Sequence, residues 1–484
     1  MDKIRNKKRE ILFVIITFII SMLMCVAFLQ PHYTQDTYKI IRDGLTEFSL
    51  ERFLEDGRVF TAIITIFVDK INMSVETYML ISFIIALILF SISILFVFKI
   101  YKKIFSKDSK IINALLFCIS FMTIYNYMAI EYIYYLETAV MALGVLLSVI
   151  ACKIIVDDEE HMYIKASIIL IIAAFCYQGS IAIFPMLLII YYVLKNNSLK
   201  DIVKNAIKSV LLYVLAMVTN LIFCNIVFSS TRLQIGNYIP KISNIIEMLY
   251  DLIINSLGIM VPYLHIGIII LVIIILFINR KKYGNKLLWG YILMIIVSIG
   301  ICLLPPLSGS GLALNSRICI SFGATIAFSL LVLLYIAQDA KKWINIVVYT
   351  LITLMFLYNV GIYVLITNQH IMVDKLDKEN CNIINNIITE YEEKTNIKVT
   401  KISAVIMGEK QKYYPNIMHA GAITTSALSA WTVREVITFY TERDMQFCPM
   451  DKKIVIENFL DKDWDNFSPE QVVINNDTLY FCIK

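Results

Sequence analysis

Side chains capable of chemistry are concentrated just after the first apolar run of this 484-residue chain. Asp36 lies about seven residues past the end of that run and is flanked by Tyr33 and Tyr38. A carboxylate in a partly dry, aromatic setting is suited to general base catalysis, because desolvation raises its proton affinity. Asp36 is therefore a candidate base for a sugar hydroxyl. The alternative is a helix N-cap before residues 37–48, and the two roles are compatible.

The same segment contains Asp56-Gly57-Arg58. Arginine suits a phosphate because its planar guanidinium donates two parallel charged hydrogen bonds. Arg58 is a candidate phosphate ligand, and Asp56 would orient Arg58 or a sugar hydroxyl. The alternative is a simple turn before the next helix.

Two further carboxylates, Glu131 and Glu137, lie at the start of an apolar run among several tyrosines. Carboxylates at the edge of a membrane span are costly and are therefore functional candidates. The tyrosines are consistent with sugar stacking or with an interfacial aromatic belt. Tyr177 and Gln178 lie in a tight hairpin, where they either bind a sugar or only close the turn.

Arg317 begins a late apolar run after a Gly/Ser-rich loop. An arginine at that depth must find an anion or extend to the headgroups, and a lipid phosphate is the natural anion. Arg232 is a weaker candidate of the same kind. The distribution of lysine and arginine along the chain assigns all these candidates to segments on the outer side of a membrane.

The common motifs of soluble enzymes are absent from the sequence: there is no P-loop, GxGxxG, HExxH or GxSxG. The five histidines are scattered, so no cofactor or metal site is predicted, although a divalent metal shared by His32 and Asp36 is left open. Three of the ten cysteines lie in the polar tail, and Cys448–Cys482 is the expected disulfide if one forms.

The elements that position these residues are apolar helices. Hydrophobic residues make up 59% of the chain and its mean hydropathy is +0.73, values that exclude an ordinary soluble protein. About 20 residues are needed to cross a bilayer. The sequence predicts about eleven spans, at 11–29, 77–98, 111–125, 133–152, 163–178, 180–194, 206–228, 262–279, 287–304, 318–337 and 343–367.

Positive charge predicts the orientation of these spans. Of the 43 lysines and arginines, 22 lie in alternate short loops counted from the N-terminus, whereas the loops between them hold about 8. This asymmetry predicts a cytoplasmic N-terminus. The basic residues do not gather on one soluble face, so nucleic-acid binding is not expected.

The chain is predicted to have two domains. Residues 1–368 form an all-α polytopic domain whose longest outer loop, 30–76, contains amphipathic helices. After Asn368 charged residues return, and 369–484 is predicted to be a small extracytoplasmic α/β domain. Its expected elements are a strand at Val399–Met407, a helix at Leu428–Tyr440 and a hairpin around Asn475-Asn476-Asp477.

This layout, over about the first 340 residues, resembles the GT-C class of polytopic glycosyltransferases. Within that class it is similar to the bacterial glucosyl transferases that modify O-antigen and other surface polysaccharides. The likeness is carried by Gln35-Asp36-Thr37, Gly57-Arg58, Tyr134-Tyr135-Leu136-Glu137, Tyr177-Gln178 and Arg317.

The resemblance implies hexose transfer from a polyprenyl-phosphate carrier to a surface polysaccharide outside the bacterial plasma membrane, with inversion. Asp36 would be the base, Glu137 would position acceptor or donor, and Arg58 and Arg317 would hold the phosphate. A polysaccharide polymerase or ligase and a transporter or flippase of lipid-linked glycans are the alternatives. Most spans lack the mid-span polar residues that a transporter needs. A scaffold role is a further alternative.

Overall fold

The computed structural model is mostly helical. It describes residues 2–105, 109–195, 198–229, 250, 261–308, 316–406, 414–418, 420–428, 432–460, 462, 464 and 467–483. The chain divides into two compact units. The first unit comprises Met1–Leu29 and Ser49–Val364, and the second comprises Gln30–Phe48 and Leu365–Lys484.

The first unit is a bundle of apolar helices. Val75–Lys102 packs against both Asp2–Met24 and Thr138–Val156. Its remaining α-helices are Val59–Lys70, Lys110–Ile124, Met162–Cys176, Ile183–Lys195, Leu199–Phe228, Val261–Ile278, Arg280–Tyr283, Asn285–Ser308, Ile320–Gly323, Thr325–Ala337 and the first part of Lys342–Thr395. Short helical turns occur at Val26–Leu29, Ser49–Phe53, Tyr127–Ile133, Gln178–Ala182 and Ser316–Ile318.

Seven helices among the described residues are long and apolar enough to cross a membrane, or eight if one bent pair counts as a single span. The apolar helices Met162–Cys176 and Tyr263–Ile278 are shorter. A multi-pass membrane protein is compatible with this count, and the predicted total of eleven spans stays a prediction. The segments 230–249, 251–260 and 309–315 lie outside the described residues.

Serine side chains set the start of three long helices in this unit. Ser74 Oγ accepts a hydrogen bond from Thr77 N at 3.2 Å, and Ser109 Oγ accepts one from Ile112 N at 3.1 Å. Ser198 caps the helix Leu199–Phe228 in the same way. Such caps satisfy backbone N–H groups that have no partner within the helix, which fixes where each apolar run becomes helical.

The second unit contains a four-stranded sheet with strand order β2-β1-β4-β3. Its strands are β1 (Lys401–Ile406), β2 (Gln446–Phe447), β3 (Val472–Asn475) and β4 (Thr478–Ile483). β1 is parallel to β2 and β4, whereas β3 is antiparallel to β4. The unit also contains the helices Gln35–Asp43, Leu45–Phe48, Val433–Thr441 and Lys452–Asn458, together with the end of Lys342–Thr395.

Most of the predicted elements of the tail are present. The strand at 399–407 is β1, and the hairpin β3–β4 turns at Asn476, whose φ of 54° is left-handed. The predicted helix 428–440 begins later, at Val433. The expected disulfide is wrong, because Cys448 and Cys482 are both free thiols.

A buried carboxylate holds together part of the second unit. Asp377 is fully buried on the long helix and accepts hydrogen bonds from Tyr414 Oη and Ser426 Oγ, both at 2.6 Å. It also accepts one from Ala427 N at 2.8 Å. These bonds tie the chain around 414–427 to the helix. A buried charge requires such donors, because it has lost its water.

We expect Asp377→Ala to lower the free energy of unfolding by about 3 kcal/mol, because three buried donors lose a charged acceptor. Hydrogen exchange of the peptide covering 414–428 should rise in this variant. The control is Asp444→Ala, which removes an exposed carboxylate of the same unit and should cost less than about 0.5 kcal/mol. Equal exchange in both variants would contradict the role given to Asp377.

Candidate active site

Three short 3₁₀ segments meet within the first unit. Ser316–Ile318 contacts both Tyr127–Ile133 and Gln178–Ala182. Each segment carries or adjoins predicted site residues: Glu131 on the first, Gln178 beside Tyr177 on the second, and Arg317 on the third. Irregular backbone among membrane helices is tolerated where it is buried in protein or lines a cavity, so this meeting point is a natural place for a site.

The first segment exists because a helix breaks. Lys110–Ile124 and Tyr127–Ile133 are bent by 64° at Tyr125 and Asn126. Asn126 Oδ1 caps the new turn by accepting from Met128 N at 3.1 Å. The backbone carbonyls released by the break accept hydrogen bonds from Asn359 Nδ2 at 2.6 Å and Tyr363 Oη at 2.8 Å. These three hydrogen bonds stabilise the start of the turn that carries Glu131.

Arg58 is the centre of the site. Its Nη1 donates to Glu137 Oε1 at 2.9 Å, and its Nη2 lies 3.4 Å from Asp56 Oδ2. Only 12% of the Arg58 side chain is exposed, compared with 3% for Glu137 and 20% for Asp56. Burial lowers the pKa of the Arg58 guanidinium, but the neighbouring carboxylates raise that pKa more, so the net shift is upward.

Aromatic rings surround the two arginines. The Arg58 guanidinium lies 5.1 Å from the centre of the Tyr177 ring, and the Arg317 guanidinium lies 4.3 Å from the centre of the Tyr135 ring. The charges of Arg317, Arg58, Glu131 and Glu137 all act on the Tyr177 phenol. Arg58 therefore lies directly on Tyr177, and Ser316–Ile318, which carries Arg317, contacts Gln178–Ala182, the segment that follows Tyr177.

An amide network holds Asp56-Gly57-Arg58 in place. Gln178 Nε2 donates to the Asp56 carbonyl and to Asn220 Oδ1, and Asn220 Nδ2 donates to the Gly57 carbonyl at 2.9 Å. The sequence reasoning missed Asn220. A signal was present, because Asn220 is an amide inside the apolar run 206–228, and such residues usually have a buried polar partner.

Glu131 is the carboxylate of the site that is not neutralised by an ion pair among the described residues. Its side chain is 1% exposed, and its Oε2 has no hydrogen-bond partner in the described part of the chain. A buried carboxylate oxygen without a donor is costly and is therefore available to a substrate hydroxyl.

Asp36 belongs to the second unit and lies in the first turn of the helix Gln35–Asp43, half-buried. The alternative cap role is wrong, because Thr34 is the N-cap: its side chain accepts from Thr37 N at 3.1 Å. Arg232 lies outside the described residues. Within the described ranges no group of three or more His, Cys, Asp or Glu side chains could hold a metal ion.

The first unit thus combines two arginines, three carboxylates and edge-to-face tyrosine pairs around short 3₁₀ turns. This arrangement is suited to an anionic, hydroxyl-rich substrate, because guanidinium groups bind phosphate and carboxylates bind hydroxyls. The fold and site together define a multi-helix membrane protein with a charged, aromatic-lined site.

Comparison with known protein families shows which family the chain belongs to. The chain belongs to the family described as Glucosyl transferase GtrII, whose model matches residues 25–334. The family resemblance predicted from the sequence is therefore confirmed, and the chain is a glycosyltransferase by family. A search of curated proteins finds no match. The matched range includes each of the predicted site residues.

We expect Gly57→Ala to disrupt the site. Gly57 has φ of +76°, and an added Cβ would lie 2.5 Å from Asn220 Oδ1 and 2.7 Å from Gln178 Nε2. The matched control is Gly44→Ala, which has φ of +91° but no neighbour within 4 Å. The control should cost about 1 kcal/mol of stability from backbone strain alone. Gly57→Ala should cost clearly more and lower activity; equal melting temperatures would argue against the network.

Proposed function

We propose that this glycosyltransferase moves a hexose, glucose or a close relative, from a polyprenyl-phosphate carrier to a cell-surface polysaccharide. The reaction takes place at the outer face of the bacterial plasma membrane. The observation that carries the proposal is a pair of arginines on aromatic rings: Arg58 lies on Tyr177 and pairs with the buried Glu137, and Arg317 lies on Tyr135. Two guanidinium groups beside a sugar-stacking ring suit a sugar phosphate.

Arg58 is proposed as the first phosphate ligand. Its Nη1 edge is held by Glu137, which makes Glu137 a positioning residue in addition to its predicted contact with donor or acceptor. The Nη2 edge has the longer contact, with the more exposed Asp56. A phosphate oxygen can replace that contact and gain a charge-assisted hydrogen bond. Arg317 supplies the second positive charge.

Direct displacement at the anomeric carbon is the proposed chemistry. The acceptor oxygen forms a bond to that carbon while the bond to the carrier phosphate breaks, and the electron pair leaves on the phosphate oxygen. The configuration inverts. The acceptor proton moves to a carboxylate, for which Asp36 is the predicted base and Glu131 is the second candidate. Tyr177 and Gln178 are proposed to contact the sugar.

The proposed orientation rests on charge. The first outer loop, the hairpin at Tyr177 and Arg317 all belong to the segments with little positive charge, and the N-terminus belongs to the basic side. Nucleotide sugars are cytoplasmic, so a donor used outside must be carried by lipid. Arg232, in the same outer set, is proposed as a weaker phosphate contact.

The direct test uses purified protein with a synthetic polyprenyl-phosphate hexose and cell-surface glycan. Polyprenyl phosphate should be released only when both substrates are present. We expect Arg58→Lys to lower kcat/KM for the donor about 100-fold, because lysine lacks the planar fork. The matched control is Arg52→Lys, which changes a nearby arginine outside the ion pairs of the site. A donor-independent reaction, or equal activity of the two variants, would reject the proposal.

We expect Asp36→Asn to lower kcat at least about 100-fold with the donor KM unchanged, because the base is lost but the phosphate ligands remain. Asp43→Asn, in the same helix, is the control and should retain activity. If Glu131→Gln abolishes transfer and Asp36→Asn does not, the base is Glu131.

A further inference from the structure

His265 is a buried histidine that the proposed transfer chemistry does not use. It lies near the start of the apolar helix Val261–Ile278, within the predicted span 262–279. An ionisable side chain among membrane helices is costly, and it is therefore a functional candidate. No local sequence pattern reveals its two hydrogen-bond partners, which lie 138 and 60 positions away along the chain.

Two hydrogen bonds fix the imidazole of His265. Its Nδ1 lies 2.9 Å from Tyr127 Oη, and its Nε2 lies 2.6 Å from Thr325 Oγ1. Thr325 Oγ1 donates its only proton to the Phe322 carbonyl at 2.7 Å, so Nε2 must be the donor to Thr325. No charged side chain among the described residues pairs with His265, and a buried imidazolium there would be uncompensated. The ring is therefore neutral, and its Nδ1 accepts from the Tyr127 phenol.

His265, Tyr127 and Thr325 together form what we call the imidazole bridge. Its first arm reaches the segment that carries Glu131, because Tyr127 is the first residue of the 3₁₀ turn Tyr127–Ile133. A 3₁₀ turn has poorer hydrogen-bond geometry than an α-helix, so its placement depends on side-chain contacts. The Tyr127 and His265 rings also meet edge to face, with centroids 5.7 Å apart.

The second arm of the imidazole bridge reaches the segment that carries Arg317. Phe322 lies five residues after Arg317, and its carbonyl accepts the hydrogen bond from Thr325. The Phe322 ring also lies 4.7 Å from the imidazole ring of His265, measured between centroids. One histidine from a third helix therefore supports both segments.

The two segments are closely packed where the bridge holds them. A Cβ added at Gly323 would overlap Asn126 Oδ1 and would lie 2.9 Å from Met128 Cβ. Each contact position is next to a residue that touches the imidazole: Gly323 follows Phe322, and Met128 follows Tyr127. The bridge therefore acts at the joint between the two segments, where a loss of support changes their separation.

We propose that His265 is a positioning residue of the transferase, and that its neutral imidazole keeps the Glu131 and Arg317 segments at a fixed separation. This inference rests on the proposed function, in which Arg317 binds the donor phosphate and Glu131 faces a substrate hydroxyl. In-line displacement requires both substrates to be held in one geometry, and small misplacements lower the rate strongly.

Hydrogen exchange tests the bridge without the reaction. In the full-length protein in nanodiscs, His265→Ala should raise exchange in the peptides covering 127–133 and 316–323, because each segment loses one support. Tyr127→Phe, a smaller change, should raise it in the first peptide alone. The matched control is Tyr291→Phe, which removes another buried hydrogen bond between helices, at 2.6 Å from Ser329 Oγ, and should change neither peptide. Unchanged exchange in the 127–133 peptide of Tyr127→Phe would overturn the proposal.

Turnover tests whether the bridge serves catalysis. Tyr127→Phe should lower kcat about 10-fold with the donor KM unchanged, because only the Glu131 segment loses support. Tyr291→Phe removes a hydrogen bond of the same kind and should leave both constants unchanged. Equal kcat values for the two variants would show that His265 only stabilises the fold.

Two conservative replacements separate the two ring nitrogens. Asparagine places an amide oxygen near Nδ1 and can accept from Tyr127, whereas glutamine places an amide nitrogen near Nε2 and can donate to Thr325. Relative to His265→Ala, His265→Asn should therefore recover kcat, and His265→Gln should recover the donor KM. Recovery of neither constant, or the same recovery by both replacements, would reject the positioning role.

The two measurements distinguish the two proposals. Raised exchange in a protein that transfers no hexose would reject the proposed function, and with it the catalytic role of His265, but would leave the imidazole bridge supported. Transfer by the wild-type protein with unchanged constants in Tyr127→Phe would reject the positioning role and retain the transferase.

Discussion

The structure of the first unit depends on one buried cation. Arg58 is shielded from water, and a guanidinium in that setting is stable only when carboxylates and hydrogen bonds replace its hydration. Glu137 and Asp56 supply the charges, and Gln178 and Asn220 hold the backbone on which Arg58 is mounted. Removing one partner leaves a charge buried without compensation. The site and the local fold therefore share the same interactions.

The candidate residues of the site could be predicted because burying a charged side chain among apolar helices costs free energy. Arg58, Glu131, Glu137 and Arg317 interrupt apolar or aromatic stretches, and each such interruption requires a partner or a ligand. The structure pairs Arg58 with Glu137 at 2.9 Å and brings the segments that carry Glu131 and Arg317 into contact. Family membership could be predicted for the same reason, because the short motifs coincide with these positions.

Other features could not be predicted because they depend on long-range partners. Asn220 bonds to Gly57, 163 positions earlier, and no local pattern reveals that pairing. The last membrane span was predicted at 343–367, and the helix that contains it continues past the rise in polarity to Thr395. Polarity does not end a helix: the stretch 362–395 lacks Gly and Pro, and Cys381, Ile384 and Ile388 supply an apolar stripe that packs into the core of the second unit.

The break in the helix at Tyr125 and Asn126 depends on residues outside the range that the family model matches. Asn359 and Tyr363 donate hydrogen bonds to the backbone carbonyls at this break. Both residues come after residue 334, where the family match ends. A chain trimmed to the matched range would lose both side-chain donors, and the Asn126 carbonyl would keep only its bond from Ala129 N. The interactions that support the broken helix therefore extend beyond the range that the family model matches.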